Sequence, residues 1–367
     1  MKIIIRNCNV AELDIPLKYA TKLYNEFAIR HPNAFYLRTR QRGMQNWDGK
    51  IKYITKTGQF KIGLLPSVYK RCIELGIKPI IVDMRQPLPK VSKVVTQIGK
   101  YKLRPEQEKA VKAILSNKLG ETPFQIGVLD YTVNAGKTLI MSALYLSYKK
   151  QLKTLLITND SDWLNQARDE FKQYLPGEDI TFVQGKVLNW SNFTIGMVQS
   201  ISRNMKYYQN ELAKIDMVLI DEADQGGSKQ YQNVITRLFN TRVRIGLSGT
   251  IYMSKLAKDK VKNMNLRCFF GDVIAEFKLK DSIKKGYSTK TIVKTVEGKP
   301  WFGNWESDCM SYNEIYDDSI THNKIAWTMA LDRLKWNLNQ GRYPALVVCK
   351  HIAHCENLYK FFKKKLG

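Results

Sequence analysis

Tyr131-Thr132-Val133-Asn134-Ala135-Gly136-Lys137-Thr138 joins the apolar run FQIGVLD (124–130) to KTLIMSALYLSY, a segment of strong helix character. Apart from Tyr131 at its first position, the octapeptide fits G-x-x-x-x-G-K-[ST], and a strand-to-helix junction is the context that gives this pattern its physical meaning. Backbone N–H groups of such a loop, here those of Asn134, Ala135 and Gly136, converge with a helix N-terminus to cradle phosphate oxygens. Lys137 then neutralises the β and γ oxygens of a nucleotide, and the Thr138 hydroxyl is a ligand for magnesium. Gly136 permits the close backbone approach. Tyr131 is a departure, because many such loops carry glycine there.

Working outward, a second apolar strand, MVLI (217–220), runs straight into Asp221-Glu222-Ala223-Asp224. Carboxylates at a strand end, downstream of a phosphate loop, suit Asp221 to hold Mg2+ through water and Glu222 to act as general base on the attacking water. Upstream, Leu103-Arg104-Pro105-Glu106-Gln107 opens the helix before the loop. The Gln107 amide is suited to read an adenine edge and the Arg104 guanidinium to stack on the ring. Ser248-Gly249-Thr250 follows the strand VRIGL, where small hydroxyl residues can couple the carboxylates to a bound partner. The implied cofactors are ATP and Mg2+.

These pieces sit in a regular frame. FQIGVLDYT, TLLITND, TIGMVQ, MVLIDEAD and VRIGLSGT alternate with helical stretches between about residues 99 and 275. Unbroken apolar strands alternating with helices predict a parallel sheet covered on both faces, with chemistry at the carboxyl ends of the strands. The fold class is therefore α/β, built on a parallel sheet. Residues 1–98 read as a small α+β domain, with strands at KIKYI (50–54) and PIIVD (79–83) around a helical LLPSVYKRCIELG and a linker at QPLPK (86–90). Residues 276–367 restart the alternation with TKTIVKTV, a helix over 321–339, the strand ALVVCK (345–350) and a last helix.

Charge points to the partner. Lys and Arg number 59 against 33 Asp and Glu, a net charge of +26, and residues 1–98 hold 18 of the basic residues against 6 acidic ones. Such an excess favours a polyanion, and DNA is the expected partner. No run of about 18 apolar residues exists to cross a membrane. The opening MKIIIRNCNV lacks the apolar segment and cleavage site of a signal peptide, so a cytoplasmic location is expected. Six scattered cysteines suit reduced thiols, and the group Cys349, His351, His354 and Cys355 lacks the usual spacing of structural zinc pairs.

With these motifs in order, residues 100–275 resemble the first RecA-like lobe of superfamily 2 helicases. The resemblance equates Gln107 with the adenine-reading position, Lys137 and Thr138 with motif I, Asp221 to Asp224 with motif II, and Ser248 to Thr250 with motif III. It also sets TLLITNDSDWLNQ (154–166), ending at Gln166, and TIGMVQSI (194–201), containing Gln199, at positions that face the nucleic-acid backbone. Gln45-Asn46-Trp47-Asp48-Gly49-Lys50-Ile51, followed by GQFKIGLLPSVYKRCIELGIKPIIVD, is similar to the accessory DNA-binding domain of phage UvsW-type helicases. Trp47 is there to stack or to pack, and Arg38, Arg40, Arg42, Lys50 and Lys52 form a basic series suited to phosphates. The letters D-E-A-D do not imply RNA, since RNA-specific members commonly pair them with Ser-Ala-Thr. The resemblance implies an ATP-dependent DNA helicase acting on branched or displaced-strand DNA in phage recombination and replication.

One part of the pattern is not met. ALVVCKHIAHCENLYKFF (345–362) looks like motif IV and its helix, and nothing after it supplies motifs V and VI, whose arginine finger is worth about 10³ to 10⁵ in rate. The second lobe is thus expected to be incomplete, with a second chain as the partner that would complete it. By that reading the chain alone binds ATP and DNA but turns over slowly. The alternatives are one half of a split helicase or a non-catalytic, ATP-responsive DNA-binding protein.

Overall fold

A computed structural model describes residues 1–41, 43–91, 93–187, 190–252, 257–290, 311–342 and 345–366. They fall into two compact units, Met1–Lys290 and Thr291–Gly367. Arg42 and most of TKTIVKTV lie outside the described residues.

The first unit opens with β1 (Lys2–Ile5) and β2 (Val10–Asp14), antiparallel partners, followed by α1 (Leu17–Glu26). Next comes a ribbon of β3 (Ala28–Arg30) and β4 (Lys50–Lys52), whose long connection carries α2 (Ala34–Arg40). β5 (Gln59–Lys61), α3 (Leu65–Glu74) and β6 (Ile80–Asp83) complete a four-stranded sheet of order β5-β2-β1-β6. Period-two patterning sets its inner face: Ile3 and Ile5 are fully buried, while Lys2 is exposed and Ile4 only partly buried.

After α4 (Pro105–Leu115) the chain builds a seven-stranded, all-parallel sheet. Its strands are β7 (Ile126–Tyr131), β8 (Thr154–Thr158), β9 (Ile180–Val183), β10 (Phe193–Met197), β11 (Met217–Asp221), β12 (Val243–Ser248) and β13 (Val273–Phe277), in the order β9-β10-β8-β11-β12-β7-β13. Every residue of β7 and of β12 is buried, which is why both read as continuous apolar runs rather than alternating ones. The crossovers include α5 (Lys137–Ser147), α6 (Ser161–Tyr174), α7 (Val198–Arg203) and α8 (Ala257–Phe270). Parallel register brings the functional ends together: Asp221 pairs with Leu247, and Asp130 with Ser248.

The two sheets share a core. Ile3, Ile5 and Leu64 of the amino-terminal part cluster with Ile126, Val128 and Phe270 of the larger one. Contact is close enough that a Cβ on Gly63 would lie 2.2 Å from the Arg267 carbonyl oxygen in α8. Arg244, at the start of β12 and 1% exposed, donates to the Cys8 carbonyl and Asn9 Oδ1, both at 2.8 Å, and to the Phe269 carbonyl.

In the second unit, α9 (Lys324–Asn339) and α10 (Ile352–Leu366) pack through Leu331, Leu358 and Phe362. The strand expected at ALVVCK does not form: residues 345–350 are irregular, with Leu346 and Val348 more than four-fifths exposed. A strand is held by the hydrogen bonds of a neighbour, and no strand pairs with this segment among the described residues. No helix among the described residues is long and apolar enough to cross a membrane.

Candidate ATP site and nucleic-acid interface

β7 reaches the phosphate loop fully extended, and Tyr131 is its last residue. The side chain is completely buried, with its hydroxyl donating to the Glu106 carbonyl at 2.8 Å. The departure at this position thereby has a reason: the left-handed residues of the turn are Asn134 (φ 63°) and Gly136 (φ 72°), so position 131 needs no glycine. Gly136 then caps α5, whose first residues are Lys137 and Thr138. A Cβ at Gly136 would come within 2.3 Å of Gln107 Nε2, forcing that side chain to shift, and the left-handed φ of 72° favours glycine in any case.

Gln107 is placed differently from a free adenine reader. It is 2% exposed, its Nε2 donates to the Ala135 carbonyl at 2.9 Å, and its Oε1 accepts from Arg104 N–H at 2.8 Å, which caps α4. Arg104 donates to the Asn134 carbonyl at 3.0 Å while its guanidinium lies 4.3 Å from the centre of the Tyr287 ring. Both side chains therefore hold the loop itself. Beside them Glu106 accepts from Lys285 at 2.7 Å; burial pulls its carboxyl upward, but that bond and the neighbouring Arg104 leave it below the ordinary carboxylate range.

At the end of β11, Asp221 is 6% exposed and its Oδ1 lies 3.9 Å from Lys137 Nζ. That oxygen has no hydrogen-bond partner. Burial raises the Asp221 carboxyl above its usual value despite the pull of Lys137, and burial together with Asp221, Asp224 and Asp160 raises Glu222 as well. Glu222 itself sits in the left-handed region, φ 51°. A buried carboxylate oxygen with no donor, a nearby ammonium and the Thr138 hydroxyl at a helix start make up a donor set that fits magnesium and a triphosphate. Motif III joins the same cluster: Ser248 Oγ donates to Asp224 Oδ1 at 2.7 Å and accepts from Thr250 N–H at 3.1 Å, with Gly249 between them packed against Thr132.

A polar chain leads away from the carboxylates. Gln199 Nε2 donates to the Asn159 carbonyl at 3.1 Å, Asn159 Nδ2 donates to Gln225 Oε1, and Gln225 Nε2 donates to Glu222 Oε2 at 3.1 Å. Asn159 and Gln225 were not singled out by sequence reasoning, although Asn159 lies within TLLITNDSDWLNQ and Gln225 directly follows Asp221 to Asp224. Gln166 stands apart from this chain, exposed on α6 and bonded to Glu170 at 2.8 Å.

Residues 100–253 match the family described as type III restriction enzyme, res subunit. Over 349 residues the chain is 22% identical to the ATP-dependent DNA helicase uvsW of Enterobacteria phage T4, a match that takes in 87% of this chain and 65% of that protein. Two solved structures of T4 UvsW resemble its fold, each with a TM-score of 0.58 at 20% identity; one match covers 75% of this chain and 100% of that chain, the other 100% and 73%. In sequence the chain is thus similar to a UvsW-type helicase, and in fold to that helicase's solved structures. It spans somewhat less than two thirds of the T4 protein's length, 65%.

The amino-terminal basic series is distributed over the β3–β4 ribbon and α2. Arg38 and Arg40 are exposed in the last turn of α2, and Lys50 is exposed directly opposite Arg30 across the ribbon. Lys52 is already paired with Asp48 at 3.1 Å. Trp47 packs instead of standing free: half-buried, it donates from Nε1 to the Lys50 carbonyl at 3.0 Å and presents an edge to His31 at 5.9 Å.

Proposed function

We propose that this chain is an ATP-dependent motor on DNA, with branched or displaced-strand DNA as its substrate in phage recombination and replication. The observation that carries this reading is the meeting of Lys137, the unpartnered oxygen of Asp221 and the Asp224–Ser248 bond at adjoining strand ends. Bound magnesium-ATP supplies the phosphoanhydride whose cleavage drives movement. Lys137 and the loop backbone bind and orient the phosphates, and Asp221 with Thr138 would hold the metal. Glu222, kept basic by its raised pKa, accepts the proton of the attacking water. Ser248, bonded to Asp224, and Thr250 couple the state of the carboxylates to bound nucleic acid. Residues 1–98 serve as the accessory DNA-binding domain, 99–275 as the ATP-binding lobe and 276–367 as part of the second lobe. The T4 relative is named a DNA helicase, which supports DNA as a substrate.

Binding and hydrolysis of magnesium-ATP with and without forked DNA test the proposal. DNA-stimulated turnover supports the motor. Where both ligands bind without turnover, adding a chain that carries motifs V and VI decides: restored turnover supports a split motor, and none assigns an ATP-responsive DNA-binding protein; failure to bind magnesium-ATP overturns both.

A further inference from the structure

α2 is an unusual helix for a folded protein. Of its seven residues, AFYLRTR, only Ala34 is buried, while Phe35 is 80% exposed and Tyr36 55% exposed. A helix this short has little stability of its own, and helices in proteins are normally held by a buried apolar face. Here the attachment is minimal: Ala34 lies against Gly49, and the His31 N–H donates to the Gly49 carbonyl at 2.8 Å. Two neighbouring aromatic rings are thus held out in water by a small, anchored element. Fully exposed single hydrophobic residues are common, but an adjacent aromatic pair on a helix with no other buried face calls for a partner.

The charges nearby say what kind of partner. Arg30, Arg38, Arg40 and Lys50 have no ion pair among the described residues, and Arg30 stands opposite Lys50 in the β3–β4 register. Like charges facing one another across a ribbon destabilise it unless an anion lies between or above them. The Arg40 guanidinium lies 5.1 Å from the centre of the Tyr36 ring, so cation and ring are presented together. Unneutralised cations take phosphates, and exposed aromatic rings take the faces of unstacked bases. A closed duplex hides those faces, whereas the boundary between paired and single-stranded nucleic acid offers them. A lipid surface suits the patch less well, since membrane-surface helices present a long apolar face that seven residues cannot supply.

We infer that Phe35 and Tyr36 form a stacking wedge that takes an unpaired base at a duplex–single-strand boundary while Arg38, Arg40, Arg30 and Lys50 hold the flanking phosphates. This rests on the DNA-binding part of the function proposed above and adds the feature of DNA that is recognised.

The test uses the full 367-residue chain and DNA carrying 2-aminopurine, placed either at the junction of a fork or within a blunt duplex. Binding by the parent should brighten the junction probe, as its base leaves the helical stack, and should leave the duplex probe dim. In the double variant Phe35→Ala with Tyr36→Ala the brightening should vanish and the preference for fork over duplex should fall by roughly 10- to 100-fold. Duplex affinity and its salt dependence should persist, which also shows that the variant is folded; Phe35→Trp should retain the junction signal. Arg38→Gln with Arg40→Gln should instead weaken both DNAs and flatten the salt slope by up to about 0.9 per lost phosphate contact. An unchanged junction signal and fork preference in the aromatic double variant overturns the wedge and leaves DNA binding standing. A parent that binds neither DNA overturns the underlying reading and the wedge with it. Sedimentation of the parent, but not of the aromatic variant, with phosphatidylserine vesicles would assign the patch to lipid and overturn the inference as well.

Discussion

The Gln225 amide donates from Nε2 to Glu222 Oε2 at 3.1 Å, and its Oε1 accepts from Asn159 at the end of β8. Glu222 is thereby tethered to the strand end that, through Gln199, also reaches β10 and α7. Glu222 sits in a left-handed strand-end turn, and among the described residues this amide is a side-chain donor bonded to its carboxylate.

Gln225→Ala should therefore lower ATP hydrolysis by about 10- to 100-fold, the range expected for loss of a hydrogen bond to a charged group. Magnesium-ATP affinity should be unchanged. Because a donor favours the ionised form, its loss should raise the Glu222 pKa further and move the acid limb of the rate profile to higher pH. A variant with parental rate and an unmoved acid limb would remove Gln225 from the positioning of Glu222.

Lys137→Ala and Glu222→Gln should separate binding from chemistry. The first removes the ammonium beside Asp221 and should abolish nucleotide binding measured with a fluorescent ATP analogue. The second should keep that binding and stop hydrolysis, since Asp221 and Thr138 remain for the metal. Retained affinity in Lys137→Ala would sink the assignment of the loop.

Asp221 carries a cost that should be visible as stability. Its folded-state pKa is raised, chiefly by burial, so the native chain holds a proton that the unfolded chain releases from an ordinary value of about 4. Across the window between that value and the raised one, stability falls as pH rises, and the deficit remains at neutral pH. Without nucleotide, Asp221→Asn should melt at a higher temperature than the parent near pH 7, and the two should converge as pH drops below the ordinary carboxylate value. An equal or lower melting temperature of the variant at pH 7 would contradict the raised pKa.

Arg244→Met should loosen the union of the two sheets. It strips donors from the Cys8 carbonyl, Asn9 Oδ1 and the Phe269 carbonyl, all of which its fully buried side chain serves. Leaving such acceptors unpaired costs about 1–3 kcal/mol each, so a loss on the order of 3–5 kcal/mol should appear in denaturant unfolding. Faster proteolysis between β6 and α4 should accompany it. Parental stability would show that the apolar part of the shared core alone holds the sheets together.

Local strings encode local geometry, and for that reason much of this protein is legible in one dimension. An apolar strand followed by Asn134-Ala135-Gly136-Lys137-Thr138 specifies a strand, a left-handed turn and a helix start within one short segment. The same holds for MVLI running into Asp221, and for VRIGL into Ser248. Their meeting also follows, since parallel strands joined by right-handed crossovers put all carboxyl ends on one edge. What required the tertiary structure depends on residues far apart in the chain. Gln107 turned out to hold the Ala135 carbonyl, Trp47 to brace its own ribbon, and Asn159 to meet Gln225, because a side-chain amide or indole N–H takes whichever acceptor the packing brings near. ALVVCK has the composition of a strand and lacks a partner among the described residues, so its apolar side chains remain in water. Composition proposes a strand, but only a neighbouring backbone can satisfy its N–H and C=O groups, and that neighbour is a property of the fold.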